Sequence, residues 1–547
     1  MKLSFYFIIH TLFLTFLVPV HSQDQECSRQ ACLRIPVEGR INTIDPGLTL
    51  DTTSIELTEQ LFLGLTAFAY QNNTCTIVPE LALRWETFKD GRGYRFYMRK
   101  DVFWTRNSTG ERIRPVTAHD IVWALQRNIS PKLKAPYASL LFILKNAKEI
   151  HSGQVKDISL LGVQAIDDHT IEMELTHPAS YFPAIAGNWI FRPLPRESIE
   201  SHSSHWTEPE NIITNGPYMI KSWKKRKQIY LERNPHYYQF SQISIPSVIY
   251  RIVPQSFTGL DMYRKNKLDI IGGDYTRLSP SELSYIKSSP ELIKEHEKGK
   301  RFSVYCMQFN VKRHPVDNSL VREAISRAIN RKLLVNIITG GGEKPAYTFT
   351  PPVFLGMNDY SSEQGIRFSP KKAQALLKDA GYPDGKGFPE LFLMHDISDT
   401  HTIIAQSVKT FLEHYLNIKI TLIPKEWNDY ITTISLSDKR KMPHMYRFGW
   451  ICDYFDPNSF LHDAFYYSQN LSSWQDKTYD HLVKKAGETQ NEQERLLLYQ
   501  KAESILTKQQ AVIVPLFYET ANYLVKPWLK KWYPTPIGGQ QIQEWSF

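Results

Sequence analysis

Cysteine is scarce in this chain, with five in 547 residues, and no two are spaced as C-x-x-C. That removes the sequence basis for a thioredoxin-like redox centre or a structural zinc knuckle. Long apolar runs are equally scarce. Beyond the first 20 residues no run approaches the ~20 apolar residues of a membrane-spanning helix. Signatures of catalysis are missing too: there is no G-x-S-x-G elbow, no H-E-x-x-H pair, no P-loop and no G-x-G-x-x-G turn. The Gly340–Gly342 triplet follows a helical pattern and does not open one, so its amides are poorly placed to cradle phosphate. His202 and His205, three apart with Trp206 following and no cysteine beside them, read as a surface turn, not a metal pair. Charge is not concentrated in one sign either. The net +9 is spread along the chain, and its densest cluster, Lys221 to Lys227, lies between two alternating apolar stretches like a solvated hairpin tip. No nucleic-acid partner is expected.

What is present begins with an export signal. Lys2 precedes an apolar stretch from Leu3 to Val20, and Val20-His21-Ser22 fits a peptidase site, so a signal peptide over 1–22 is expected, cleaved near Ser22. Lipid anchoring at Cys27 is not expected, because Asp24-Gln25-Glu26 replaces the small residues that such processing needs. An exported chain with five cysteines leaves at least one unpaired. Cys27 and Cys32 are near neighbours, Cys75 stands alone, and Cys306 and Cys452 both fall in strand-like apolar stretches. Asn72, Asn107, Asn128 and Asn470 head N-x-S/T sequons, which matter only in a eukaryotic secretory route.

The length exceeds what one core supports, and two or three domains are expected. Helix and strand signals alternate without a repeat. Thr117 caps a helix whose Ile121, Val122 and Leu125 face inward, with Asp120 completing a capping box. Val163 and Ala165, then Ile171, Met173 and Leu175, predict a hairpin turning at Asp167-Asp168. Pro370 to Ala380 is a helix ended by Gly381, and 317–338 is one or two amphipathic helices stopped by Gly340–Gly342. Glu492 to Lys508 reads as helix and Ala511 to Tyr518 as strand. The fold class is mixed α/β. Aromatics reach 13%, a surplus of rings with polar handles that suits a protein enclosing an amphipathic ligand.

The stretch FGWICDYFDPNSF, Phe448 to Phe460, sets two acids among five aromatics. Asp453 in so apolar a setting is a catalytic acid, a metal ligand, or the acceptor for a cationic ligand. Asp453 and Asp456 with Pro457 lie in a turn and diverge, which does not favour opposed carboxylates across a sugar bond.

An ordered set of stretches resembles the periplasmic oligopeptide-binding proteins of bacterial ABC importers. They are INTIDPGLT with EQLFLGL, VPELALRWETFKDGRGYRFYMRKDVFW, RPVTAHDIVWALQR, APYASLL, ITNGPYMIKSW with YLERNPHYY, KPAYTFTPP, KKAQALLKDAGYPDG, KEWNDY, GWICDYFDPNSFL and AVIVPLFYETANYLVKP. The resemblance covers about Ile41 to Pro527 and implies a two-lobed periplasmic binding protein fold with an extra inserted domain, three domains in all. Lobe I would combine 23–62, 191–302 and 519–547, the inserted domain 63–190, and lobe II 303–518. The implied function is capture of short peptides in an interlobe cleft and delivery to a membrane-embedded ABC permease, by a periplasmic monomer without cofactor or enzymatic activity. Murein peptide, dipeptide, haem or a metal complex is the alternative cargo on the same fold, and an exported hydrolase is the alternative of another class.

The resemblance also implies roles. Asp453 would bind the peptide's amino terminus and Arg447 its carboxylate, with His401 at that same end. Trp450, Trp427 and Tyr137 would line side-chain pockets. Two departures stand out: Thr339 occupies the place of a cleft lysine, with Lys344 nearby, and Leu50, next to Asp51, that of a glutamate. The family's disulfide positions lie one residue from Cys452 and about three from Cys306. Both offsets are odd, turning both side chains to the other face of their strands, which makes Cys306–Cys452 a candidate disulfide.

Overall fold

The computed structural model describes residues 31–38, 41–71, 74–253, 256–357, 364–436, 438–465 and 474–547. The expected signal peptide, Cys27 and the sequons at Asn72 and Asn470 lie outside the described residues.

The first sheet runs in the order Leu33–Glu38, Ser247–Val253, Gln228–Arg233, Tyr218–Lys224. Leu33–Glu38 pairs in parallel with Ser247–Val253, so the chain's start and its middle share one sheet. The basic cluster is a hairpin tip, since Tyr218–Lys224 and Gln228–Arg233 are antiparallel neighbours.

The intervening segment forms its own four-stranded sheet, Ala82–Phe88, Gly93–Met98, Thr170–Glu174 and Val163–Asp167, beside a hairpin of Thr66–Gln71 and Thr74–Pro79. The predicted hairpin is present with Val163 opposite Met173 and Ala165 opposite Ile171. Helix Ala118–Ile129 starts as read: the Thr117 amide donates to the Asp120 carboxylate at 2.8 Å, and Ile121 and Leu125 are fully buried. Asn107 and Asn128 are core residues, their side chains bonded to the backbone of Ile220 and Ile190, so neither sequon offers an accessible amide.

The largest sheet runs Ile270–Gly272, Ile513–Val525, His296–Phe309, Met445–Ile451, Leu391–Asp396, Ile420–Lys425. Its two long strands, His296–Phe309 and Ile513–Val525, are antiparallel neighbours. The final strand is longer than its apolar run at 511–518 because pairing with 296–300 continues it through Val525. The register slips between Lys300 and Val304, opposite Thr520 and Tyr518. Such an irregularity bends and twists a strand pair locally.

Alternation along His296–Phe309 builds a core on each face of this sheet. Tyr305, Met307 and Phe309 join helices Ser319–Ala328 and Asp399–Leu416, while Val304 and Cys306 join helices Lys477–Glu488 and Glu492–Ser504. Helix Pro370–Asp379 ends at Gly381, φ +98°, and the helical run from Ser319 ends at Gly340, φ +63°, a backbone region that side chains with a Cβ avoid.

Candidate functional site

Strand Met445–Ile451 leads directly into the turn that holds Asp453. The Asp453 amide donates to Ser459 Oγ at 3.0 Å, which fixes the turn. Asp453 lines a cavity walled by Thr52, Ile55, Glu59, Gln60 and Arg192, by Tyr137 and Trp189, and by the C-terminal loop 535–543. Asp453 Oδ2 is sealed from solvent and has no hydrogen-bond partner among the described residues. Burial, with Asp463 adding repulsion, pushes this carboxyl up to about 8. A buried acceptor without a donor is costly, and a carboxylate held in that state is matched by an arriving cation.

Asp456 is different. Arg495 grips it with two bonds, 2.7 and 2.5 Å, deep in lobe II. It is spent on holding the turn that presents Asp453, and the two acids do not face one another as a catalytic pair.

Arg447 and His401 are brought together beside Tyr305. His401 is buried, 3.5 Å from the Asp396 carboxylate, and its Nδ1 lies 3.2 Å from the Tyr305 hydroxyl. Burial and the nearby Arg447 and Arg277 hold its imidazole down to about 2, hence neutral. Arg447 Nε is 3.7 Å from Asp396, and its guanidinium lies 5.4 Å from the Tyr305 ring centre. Asp396 was not legible in the sequence, because it stands in a strand end with no local motif. It gives Arg447 an internal counter-charge. Arg447 and Asp453 are six residues apart, which at ~3.3 Å per extended residue separates them by at most about 20 Å.

Tyr137 lines the same cavity as Asp453, edge-on to Trp189 at 5.1 Å. Trp450 stacks on Phe448 within lobe II, its Nε1 3.5 Å from Ser459 Oγ. Trp427 is 53% exposed and stacked on Tyr430, whose hydroxyl donates to the Arg447 carbonyl. Thr339 donates to Glu343 at 2.8 Å and lines a second cavity with Arg277, Arg301, Tyr305 and Glu519. Burial would raise Glu519, but Arg277, Arg301 and the Ser303 hydroxyl hold it down to about 2. These charged groups come from three distant segments, and the sequence carried no local sign of them. Leu50 is exposed at 62% and lines the Asp453 cavity, while Asp51 caps helix Thr52–Leu61 by accepting from the Ser54 amide.

Cys306 and Cys452 are not bonded, which corrects the candidate disulfide. Both do turn to one face, in one core cluster. The register separates them: Cys306 stands opposite Phe448, while the Cys452 amide donates to Phe302. Four positions along a strand amount to roughly 13 Å, beyond the ~7 Å that a disulfide tolerates between Cα atoms.

Distant segments also meet beside the site: Tyr454 stacks on Tyr181, and Gln490 donates to the Asp90 carbonyl at 2.6 Å. No helix among the described residues is long and apolar enough to cross a membrane.

Known proteins share this architecture. The periplasmic oligopeptide-binding protein of Salmonella typhimurium is 31% identical over 497 residues, covering 89% of this chain and 87% of its own length. A periplasmic oligopeptide-binding protein of Borrelia burgdorferi superposes with a TM-score of 0.80 at 27% identity, over 94% of this chain and 99% of that one. The murein tripeptide-binding protein of Escherichia coli superposes at 0.79 and 27% identity, over 95% and 99%. The fold is thus the multi-domain α/β fold of periplasmic binding proteins. Residues 76–472 match the model of the bacterial extracellular solute-binding proteins, family 5, and the chain belongs to that family.

Proposed function

We propose that this chain is an exported, periplasmic carrier that closes on short peptides between its lobes and hands them to the permease of an ABC importer. The observation that carries this reading is the unpartnered Asp453 oxygen in a cavity walled by both lobes. A peptide's α-ammonium supplies the missing donor and charge, while its main chain finds hydrogen bonds that do not depend on side-chain identity. Arg447 receives the carboxylate of longer ligands, beside neutral His401. Trp450, Trp427 and Tyr137 are the aromatic surfaces for side chains. The protein acts as a monomer, loses its leader near Ser22, and turns nothing over.

The test is calorimetry with tri- to pentapeptides, free and N-acetylated, on the native protein and on Asp453→Asn. Capping the amine or removing the charge is expected to weaken binding at least tenfold, in line with the ~2–5 kcal/mol typical of breaking a buried charge pair. Unchanged affinity in both arms sinks the assignment of Asp453. Bound peptide is recovered intact on denaturation, and product beyond one equivalent would instead make the protein a hydrolase. A second cargo, murein peptide, is favoured by the likeness to the Escherichia coli murein tripeptide-binding protein. Thermal-shift assays separate the two, because only a true ligand raises the melting temperature.

A further inference from the structure

The cavity that holds Asp453 is more acidic than one ammonium group requires. Its charged lining is Glu59, Glu80 and Asp453 against a single cation, Arg192. Arg192 is already committed, 3.6 Å from the Glu59 carboxylate and donating to the Phe62 carbonyl. Asp453 takes the ligand's ammonium. Glu80 remains: its Oε2 accepts the Gly64 amide at 2.7 Å, and among the described residues the cation that acts on it is the engaged Arg192.

A second observation points the same way. Gln60 is 1% exposed and lines this cavity, and its amide orientation is fixed because Nε2 donates to the Gln540 carbonyl at 2.6 Å. Its Oε1 therefore faces away from that bond and has no donor among the described residues. A buried acceptor left unpaired costs on the order of 1–3 kcal/mol, so the site is built for something that brings N–H groups. Glu80 also forms part of the wall of an adjoining cavity lined by Tyr237, Tyr238, Gln541 and Gln543, which gives a long side chain room to extend.

We infer that Glu80, with Gln60, is a second cation-binding point that takes the basic side chain of the first or second residue of a bound peptide. The chain then selects short peptides with a lysine- or arginine-type group near the amino end. This rests on the peptide-carrier reading above.

The electrostatic setting agrees. Burial pushes the Glu80 carboxyl up to about 7, with Glu59 adding to the rise and Arg192 and the Gly64 amide opposing it. Tyr237 and Tyr238 face it from the first lobe, and Lys531 and Glu544 lie across the adjoining cavity. An arriving cation holds Glu80 ionised, and acid removes that attraction.

The experiment compares Lys-Ala-Ala with norleucine-Ala-Ala, and Ala-Lys-Ala with Ala-norleucine-Ala, by calorimetry on the full mature protein. In the wild type one lysine peptide is expected to bind at least tenfold more tightly than its norleucine match at pH 7.5, a difference of about 1.4 kcal/mol. Glu80→Gln, which keeps an acceptor for the Gly64 amide, brings that ratio to within about threefold. In the wild type the ratio also shrinks as pH falls from 7.5 to 5.5, a readout that needs no variant. Ratios near one at both positions, or a preference that survives Glu80→Gln, overturn the inference. If the norleucine peptides bind and lysine adds nothing, only this inference falls. If none of the four binds, the peptide-carrier reading falls and takes this one with it.

Discussion

Tyr454 lies flat against Tyr181, ring centres 6.0 Å apart and planes within 6°. Arg495 reinforces the contact, its guanidinium 4.8 Å from the Tyr181 ring. In the domain division we propose, the two rings belong to different lobes, so the stack exists only when the lobes meet. Ligand-driven closure works through contacts of this kind, made in one state and absent in the other.

Tyr181→Ala is therefore expected to weaken peptide binding several-fold, chiefly through faster release. An aromatic pair is worth ~0.5–1.5 kcal/mol beyond its buried area. Stopped-flow dissociation measures it, and small-angle scattering with saturating peptide should show a larger open fraction. An unchanged release rate would mean the stack plays no part in closure.

The buried Asp453 carboxyl makes binding depend on pH. In the folded, ligand-free protein it ionises near 8, whereas an unfolded aspartate does so near 3.9. Between those values the folded state holds the extra proton, so this group's contribution to free-protein stability is present at low pH and declines as pH rises from about 4 to about 8. An ammonium ligand needs the ionised form. Peptide affinity should rise by up to tenfold per pH unit from 5 to 7.5, then fall as the ligand's own amine, with a pKa of about 7.7–8.0, loses its proton. Thermal-shift titrations across this range check it. Asp453→Asn should flatten the rise, and identical profiles in both proteins would refute the assignment.

Arg495 and Asp456 make the turn beneath the site, both nearly sealed from solvent. Arg495→Met strands a carboxylate in the core and is expected to cost about 3–5 kcal/mol in urea unfolding. Replacing both partners with apolar residues should recover much of that loss, because the second charge is removed with the first. A cost below ~1 kcal/mol for the single change would show that the pair does not support the turn.

The local elements were legible in the sequence because their causes are local. The Thr117–Asp120 cap, the alternation around Asp167, and the glycines at 340 and 381 act within a few residues, and the structure places each as read. The sequence also marked Asp453, since a carboxylate amid five aromatics is costly whatever the fold. Which partners a side chain meets across the fold was decided elsewhere. Asp396 reaches Arg447, Glu519 reaches Arg277 and Arg301, and Glu59, Gln60, Glu80 and Arg192 converge from segments up to about 130 residues apart. Strand register set the fate of Cys306 and Cys452: the parity that turned both to one face was readable, but the four-position offset was not. Residue chemistry and short-range periodicity are properties of the sequence itself. Charge balance in a cavity depends on which distant segments share it, and only the tertiary structure determined that.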